Sequence, residues 1–388
     1  MHEPSCYFYL WATARFGTPM LLSSLLILPS LVYTTLAQQS NTNPTVGGNQ
    51  DDGWQSFPKV VDADRHTKWV VDADLGAYMP VYQSSGLNAT EVTRAVIVLH
   101  GKPRDCWYYW NAMNNALYNA TYDDPSIVRE HISILGPCFF DEDDLTSGAA
   151  RDGQLLWGQT TWMSGHTNVA PDSISDYSSF DALDSLIAYY MDKTVYPNLQ
   201  VVVIGGHSAG AQMAQRYAAL RLSTENDDRL HFWIANPGSL LWLTSDRPVS
   251  VDDCDGIDDY KYGLESGFPA YATASARTLG RSGIVEKYNG RNMNYDWGLV
   301  SDKHLFFRLV THLSSQTDYA NGDHRCQAAA QGEDHVTRGK NFVQMLEDMG
   351  GIPNLTTVDW APNIGHSNEG MMTSEGGIDK VSTISFPR

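Results

Sequence analysis

The sequence predicts an α/β protein in which a mainly parallel central sheet is buried between flanking helices, with loop insertions over one end of the sheet. Three observations carry this. From Trp69 onward, short β-branched runs alternate with helical stretches. Most of these runs are apolar throughout, as strands buried on both faces are. One of them leads through a glycine-rich turn directly into a helix of small residues.

In chain order, the strand runs are 95–99 (AVIVL), 132–135 (ISIL), 201–204 (VVVI), 231–234 (HFWI), 305–310 (LFFRLV) and 356–359 (TTVD). Helices are expected at 180–193 and 209–222 on either side of VVVI, and at 336–349, where Val336, Phe342, Val343 and Leu346 fall near helical spacing. Two long aromatic stretches, 155–171 and 242–271, fit neither period. Loops of such length in a compact domain are usually functional, here as insertions over the C-terminal strand ends.

The chain has 388 residues, 42% of them hydrophobic, with 11 Trp and 20 Tyr, which is enough for a large core and an aromatic-lined cleft in one domain. A formal charge of −19 leaves no basic stripe to neutralise phosphates. A nucleic-acid partner and an anionic membrane surface are therefore both disfavoured.

Residues 20–37 (MLLSSLLILPSLVYTTLA) form an apolar run preceded by Arg15 and closed by the small-x-small pattern Thr35-Leu36-Ala37, so residues 1–37 are expected to be a signal peptide cut after Ala37. The run is close to the length of a membrane span, but Pro29 within it and the polar QQSNTNPT after it favour cleavage, and no stable membrane insertion is expected thereafter. The polar residues 38–54 are expected to be a flexible leader, and 55–388 the folded domain. Cleavage leaves Cys106, Cys138, Cys254 and Cys326, an even set that in an oxidising compartment argues for two disulfides. Metal-ligand spacings are absent, and no cofactor motif occurs. Asn88, Asn119 and Asn354 head glycosylation sequons, which suit a secreted, extracellular protein.

The chemistry concentrates at Gly206-His207-Ser208-Ala209-Gly210, between VVVI and the small-residue helix. Such a tight turn tolerates little beyond glycine at its flanks and lifts the serine hydroxyl above the sheet edge, which makes Ser208 a candidate nucleophile. A serine hydroxyl is barely ionised at neutral pH and needs a base. His366, in the loop after TTVD, arrives in the right order, whereas His207 sits inside the turn, His100 ends an earlier strand and His335 opens a helix. Asp318, following LFFRLV, is the choice for the acid that orients the imidazole, with Asp323 five residues on and Asp246 further back as alternatives. Backbone N–H groups of Ala209 and of Lys102, in the His100-Gly101-Lys102-Pro103 loop, are the expected oxyanion donors; Pro103 has none to give.

At these residues the chain resembles the α/β-hydrolase superfamily, and more narrowly a group of uncharacterised secreted fungal proteins of that fold. The narrower resemblance rests on VIVLHGKPRDCWYYWNAM, LLWGQTTWMSGH, GGHSAGAQ, WIANPGSLLWLTSDRP, DYKYGLESGFPAY and CQAAAQGEDHVTRGKNFVQML, and spans roughly 95–371. Such relatives usually have a glycine early in the loop holding the acid; this chain has Ser314 and Ser315. The HGGG form of many carboxylesterases and lipases is absent as well. The strand order implied by the resemblance places AVIVL beside ISIL and HFWI beside LFFRLV, and so pairs Cys106 with Cys138 and Cys254 with Cys326. The resemblance implies a serine hydrolase acting on small or polymeric carboxylic esters, or on amides, through an acyl-enzyme. The rival reading is a secreted binding protein that keeps the fold without turnover.

Overall fold

The runs AVIVL, ISIL, VVVI and HFWI become the middle of one sheet. The computed structural model describes residues 40–300 and 322–383. A two-stranded hairpin, β1 (Gly48–Asn49) with β2 (Gly53–Trp54), precedes β3 (Ala63–Asp72), β4 (Ala77–Ser84), β5 (Arg94–Leu99), β6 (Ile132–Pro137), β7 (Val201–His207), β8 (Leu230–Ala235), β9 (Asn292–Gly298) and β10 (Thr356–Ala361). The helices are α1 (Cys106–Asp123), α2 (Glu142–Ser147), α3 (Ser179–Met191), α4 (Ala209–Leu220), α5 (Ala270–Asn289), α6 (Cys326–Ala329), α7 (His335–Asp348), α8 (Asn368–Met372) and α9 (Glu375–Ile378). The large sheet runs β10-β9-β8-β7-β5-β6-β4-β3, with β3 and β4 antiparallel to their neighbours and the rest parallel.

Alternation along the central strands divides the core into two layers. On β5, Ala95, Ile97 and Leu99 pack with Phe180 and Leu183 of α3 and Met213 and Tyr217 of α4. Val96 and Val98 face the other way, onto Trp107, Trp110 and Met113 of α1. Because both faces are covered, β5, β6, β7 and β8 carry apolar side chains nearly throughout. The described residues make one compact unit. No helix among the described residues is long and apolar enough to cross a membrane.

Several elements differ from the sequence reading. The strand beside β8 is β9, whose residues Asn292, Asn294 and Asp296 have low strand propensity. Tertiary packing overrides that propensity: Met293, Tyr295 and Trp297 share one face, with Tyr295 stacked on Trp297 at 5.2 Å and beside Phe342 of α7. The run 305–310, expected as a strand, lies outside the described residues.

Of residues 38–54, expected to be a flexible leader, the described part, 40–54, is hydrogen-bonded along much of its length. Asn111 and Asn115 of α1 donate to the carbonyl of Asn41 (2.8 and 2.9 Å), and Asn111 also to Asn43 Oδ1 (2.7 Å). Asn111 is buried and Asn115 half-buried; such amides need partners, and the polar leader supplies them. Trp54 packs edge-on against Trp107, with its backbone N–H on Asp144 Oδ1 (2.9 Å).

Disulfides join Cys106 to Cys138 and Cys254 to Cys326. Trp157, Trp162 and Met163, in the long stretch after α2, are buried core residues. Of the three sequons, Asn88 and Asn354 are exposed in turns, whereas Asn119 is half-buried on α1.

Candidate functional site

The turn from β7 to α4 is shaped by what surrounds it. A Cβ on Gly206 would lie 2.4 Å from the Leu99 carbonyl oxygen, and one on Gly210 would lie 2.3 Å from the same atom and 2.8 Å from that of His100. All of these contacts are backbone, so neither position admits a side chain. Ser208 between them takes φ 59°, ψ −117°, and its N–H donates to the Ala235 carbonyl (2.9 Å). A non-glycine residue at positive φ costs of order 1–3 kcal/mol and persists only where its surroundings determine it. The result is a half-buried hydroxyl at the N-terminus of α4, where the N–H of Ala209 opens the helix and has no intrahelical acceptor.

His366 reaches this hydroxyl from the loop after β10, with Nε2 3.0 Å from Ser208 Oγ. That loop is fixed by the ends of the two preceding strands. Asn236, after β8, donates from Nδ2 to the Gly365 carbonyl (3.1 Å) and accepts the Gly298 N–H on Oδ1 (2.9 Å). Val300 N–H donates to the Ile364 carbonyl (3.0 Å). Sequence reasoning passed over Asn236; its only signal is an Asn-Pro-Gly turn directly after a buried strand.

The imidazole of His366 lies between two others. The ring of His207, from the turn itself, is 4.3 Å away, and that of His335, at the start of α7, is 4.1 Å away. Burial, together with these two neighbours, holds His366 well below the usual histidine value. Burial likewise pushes His207 down to about 3; its Nδ1 meets the Tyr109 hydroxyl at 3.4 Å. A neutral imidazole is the form that can accept a proton, and this environment favours it.

His366 Nδ1 is buried with no hydrogen-bond partner among the described residues. Asp318 lies outside the described residues. Asp323 is committed elsewhere: Oδ2 accepts from Tyr262 Oη (2.7 Å) and Ser239 Oγ (3.2 Å), and Oδ1 pairs with Arg325 Nε (3.1 Å). Asp246 is exposed in the loop after β8.

The loop bearing Lys102 is held from four sides. His100 accepts the Phe139 N–H on Nε2 (3.1 Å) and so carries its proton on Nδ1, which donates to the Gly101 carbonyl (2.8 Å). Arg104, fully buried, pairs with Asp144 (2.6 Å) and Asp141 (3.1 Å). Trp54 Nε1 donates to the Pro103 carbonyl, and Cys106 is bonded to Cys138. Arg104 N–H closes a turn onto the Gly101 carbonyl (3.1 Å), leaving Lys102 exposed at its tip. The described residues contain no cluster of side chains suited to a metal ion.

No family model matches the chain, and no curated protein matches it. Solved structures do. The poly(3-hydroxybutyrate) depolymerase LpqC from Bordetella parapertussis is 17% identical, with a TM-score of 0.50 over 81% of this chain and 90% of its own. Poly(aspartic acid) hydrolase-1 from Sphingomonas sp. KT-1 is 18% identical, with a TM-score of 0.47 over 85% of this chain and 96% of its own. An S-formylglutathione hydrolase from Agrobacterium tumefaciens is 9% identical, with a TM-score of 0.43 over 87% and 100%. At such identities likeness speaks for fold alone. With the sheet order and the β7–α4 turn, the likeness to the Bordetella structure makes this an α/β-hydrolase fold, as the sequence predicts.

Proposed function

We propose that the protein is a secreted serine hydrolase that cleaves carboxylic esters through an acyl-enzyme on Ser208. The observation that carries the reading is the 3.0 Å approach of His366 Nε2 to a serine hydroxyl held at φ 59° on a strand-to-helix turn. A merely structural serine has no need of that strain or of that partner.

In this reading Ser208 Oγ attacks the ester carbonyl as its proton passes to His366 Nε2. The negative charge on the carbonyl oxygen is met by the N–H groups of Ala209 and Lys102. Collapse expels the alcohol with the proton from His366, and water, deprotonated by the same imidazole, releases the acid. Asp318 is our assignment for the carboxylate on His366 Nδ1. Among the described residues the last strand before Asp318 is β9, ending at Gly298, so Asp302 enters the same window.

Labelling with a fluorophosphonate tests the reading. A covalent adduct at Ser208, absent in Ser208→Ala and accompanied by turnover of p-nitrophenyl esters, is expected. A folded protein that neither labels nor turns over any ester would instead be a binding protein on a hydrolase fold.

A further inference from the structure

Two turns beyond Ser208 on α4, the guanidinium of Arg216 is fully buried. Its Nη2 donates to Gln212 Oε1 (2.8 Å) and Ser239 Oγ (3.2 Å), and its Nη1 to the Met163 carbonyl (3.3 Å). Its Nε has no partner, and no carboxylate among the described residues pairs with it. Lys261, half-buried, and Arg325 both stand over the Tyr262 ring, 5.7 and 5.8 Å from its centre, and the Tyr262 hydroxyl shares Asp323 with Ser239, the partner of Arg216; the Lys261 ammonium has no acceptor among the described residues. Arg325, half-exposed, completes the group. The carboxylate among them, Asp323, is already shared by Arg325, Tyr262 and Ser239.

Two guanidiniums and the titratable ammonium of Lys261 thus gather about Asp323, whose backbone carbonyl also accepts from the buried Arg338, in a chain whose formal charge is −19. A buried cation with no counter-ion is costly, and burial beside Arg216 and Arg325 depresses the Lys261 ammonium to about 7. An anion placed between Lys261, Arg325 and the edge of Arg216 would relieve that cost.

The cluster adjoins the candidate catalytic residues. Gln212, which receives Arg216, donates its own N–H to the Ser208 carbonyl (3.1 Å). A Cβ on Gly238 would touch Gln212 Nε2 at 3.0 Å, and one on Gly322 would meet His335, whose ring lies 4.1 Å from that of His366, at 2.7 Å. Eight residues of helix place the Arg216 backbone roughly 12 Å from that of Ser208.

We propose that this cluster is a subsite for a carboxylate carried by the substrate, roughly 8 to 12 Å from the scissile carbonyl. The inference rests on the ester-hydrolase reading and gives it a substrate class: esters whose acyl chain ends in a carboxylate.

The test compares p-nitrophenyl monoesters of succinate, adipate, suberate and sebacate with neutral p-nitrophenyl esters of equal chain length. The ratio of kcat/KM, anionic over neutral, is expected to rise with length and reach roughly ten- to a hundredfold at suberate or sebacate, the range of a charge-assisted contact. Lys261→Met is expected to bring that ratio down towards one. If that variant fails to fold, Arg325→Gln, at a more exposed position, reads the same ratio. Neutral esters turned over with no anionic preference at any length, or a preference that survives both substitutions, would overturn the subsite and leave the hydrolase standing. Turnover of neither series, with Ser208 unlabelled, would overturn both.

Discussion

His100→Gln should cost much less stability at pH 5 than at pH 7. His100 is fully buried, with both ring nitrogens engaged as a neutral imidazole, and burial pushes it down to about 3. In the unfolded chain it titrates near 6.5. Between those values the unfolded state binds a proton that the native state refuses, so stability present above pH 6.5 drains away as the pH falls towards 3. Integrating the difference gives about 2 kcal/mol lost between pH 7 and pH 5 from this one group. Absolute stability is a poor readout, because Asp105 and Asp296, both raised to about 7 chiefly by burial, act in the opposite sense over the same range. Comparing wild type with His100→Gln by urea unfolding at both pH values cancels those contributions. The variant's deficit should shrink by about 2 kcal/mol at pH 5. An equal deficit at both would refute a buried neutral His100 as the anchor of the Lys102 loop.

Ser208→Ala should fold normally and lose hydrolysis to below roughly a thousandth of wild type, measured on p-nitrophenyl esters. Asp318→Asn should lower kcat by about 10⁴, the scale seen when a triad loses its carboxylate; if Asp302→Asn or Asp323→Asn is the severe variant, the orienting acid has been misassigned. Gly210→Ala should fail to give soluble folded protein, because the added carbon meets two backbone carbonyls within 2.8 Å; a well-folded variant by near-UV circular dichroism would contradict the turn geometry. Arg104→Met should lower stability by roughly 3–5 kcal/mol by stranding Asp141 and Asp144, which thermal unfolding would register.

The parts of the fold legible in the sequence are those where one physical effect dominates. AVIVL, VVVI and HFWI are buried on both faces, so composition alone marks them. The β7–α4 turn is legible because sterics at Gly206 and Gly210 leave so few residue choices. β9 was hidden because every second residue is Asn or Asp, and what holds it is the stacking of Tyr295 and Trp297 against elements distant in sequence. The same holds at the site. Ser208 and His366 follow from local context and chain order. Asn236, and the flanking of His366 by His207 and His335, depend on contacts between residues more than a hundred positions apart in places, for which no local pattern exists.

The stitching of residues 41–54 to α1 and to the Pro103 carbonyl bears on how the protein is best produced. A recombinant chain begun at Gln55, a natural choice from composition, would discard Trp54 and the Asn41 contacts together. Asn111 and Asn115 would lose their partners on the leader, and one of four restraints on the loop behind Lys102 would go. A weak result in the ester assay would then be a fault of the boundary, to be cured by restoring some fifteen residues upstream before any substrate is judged poor.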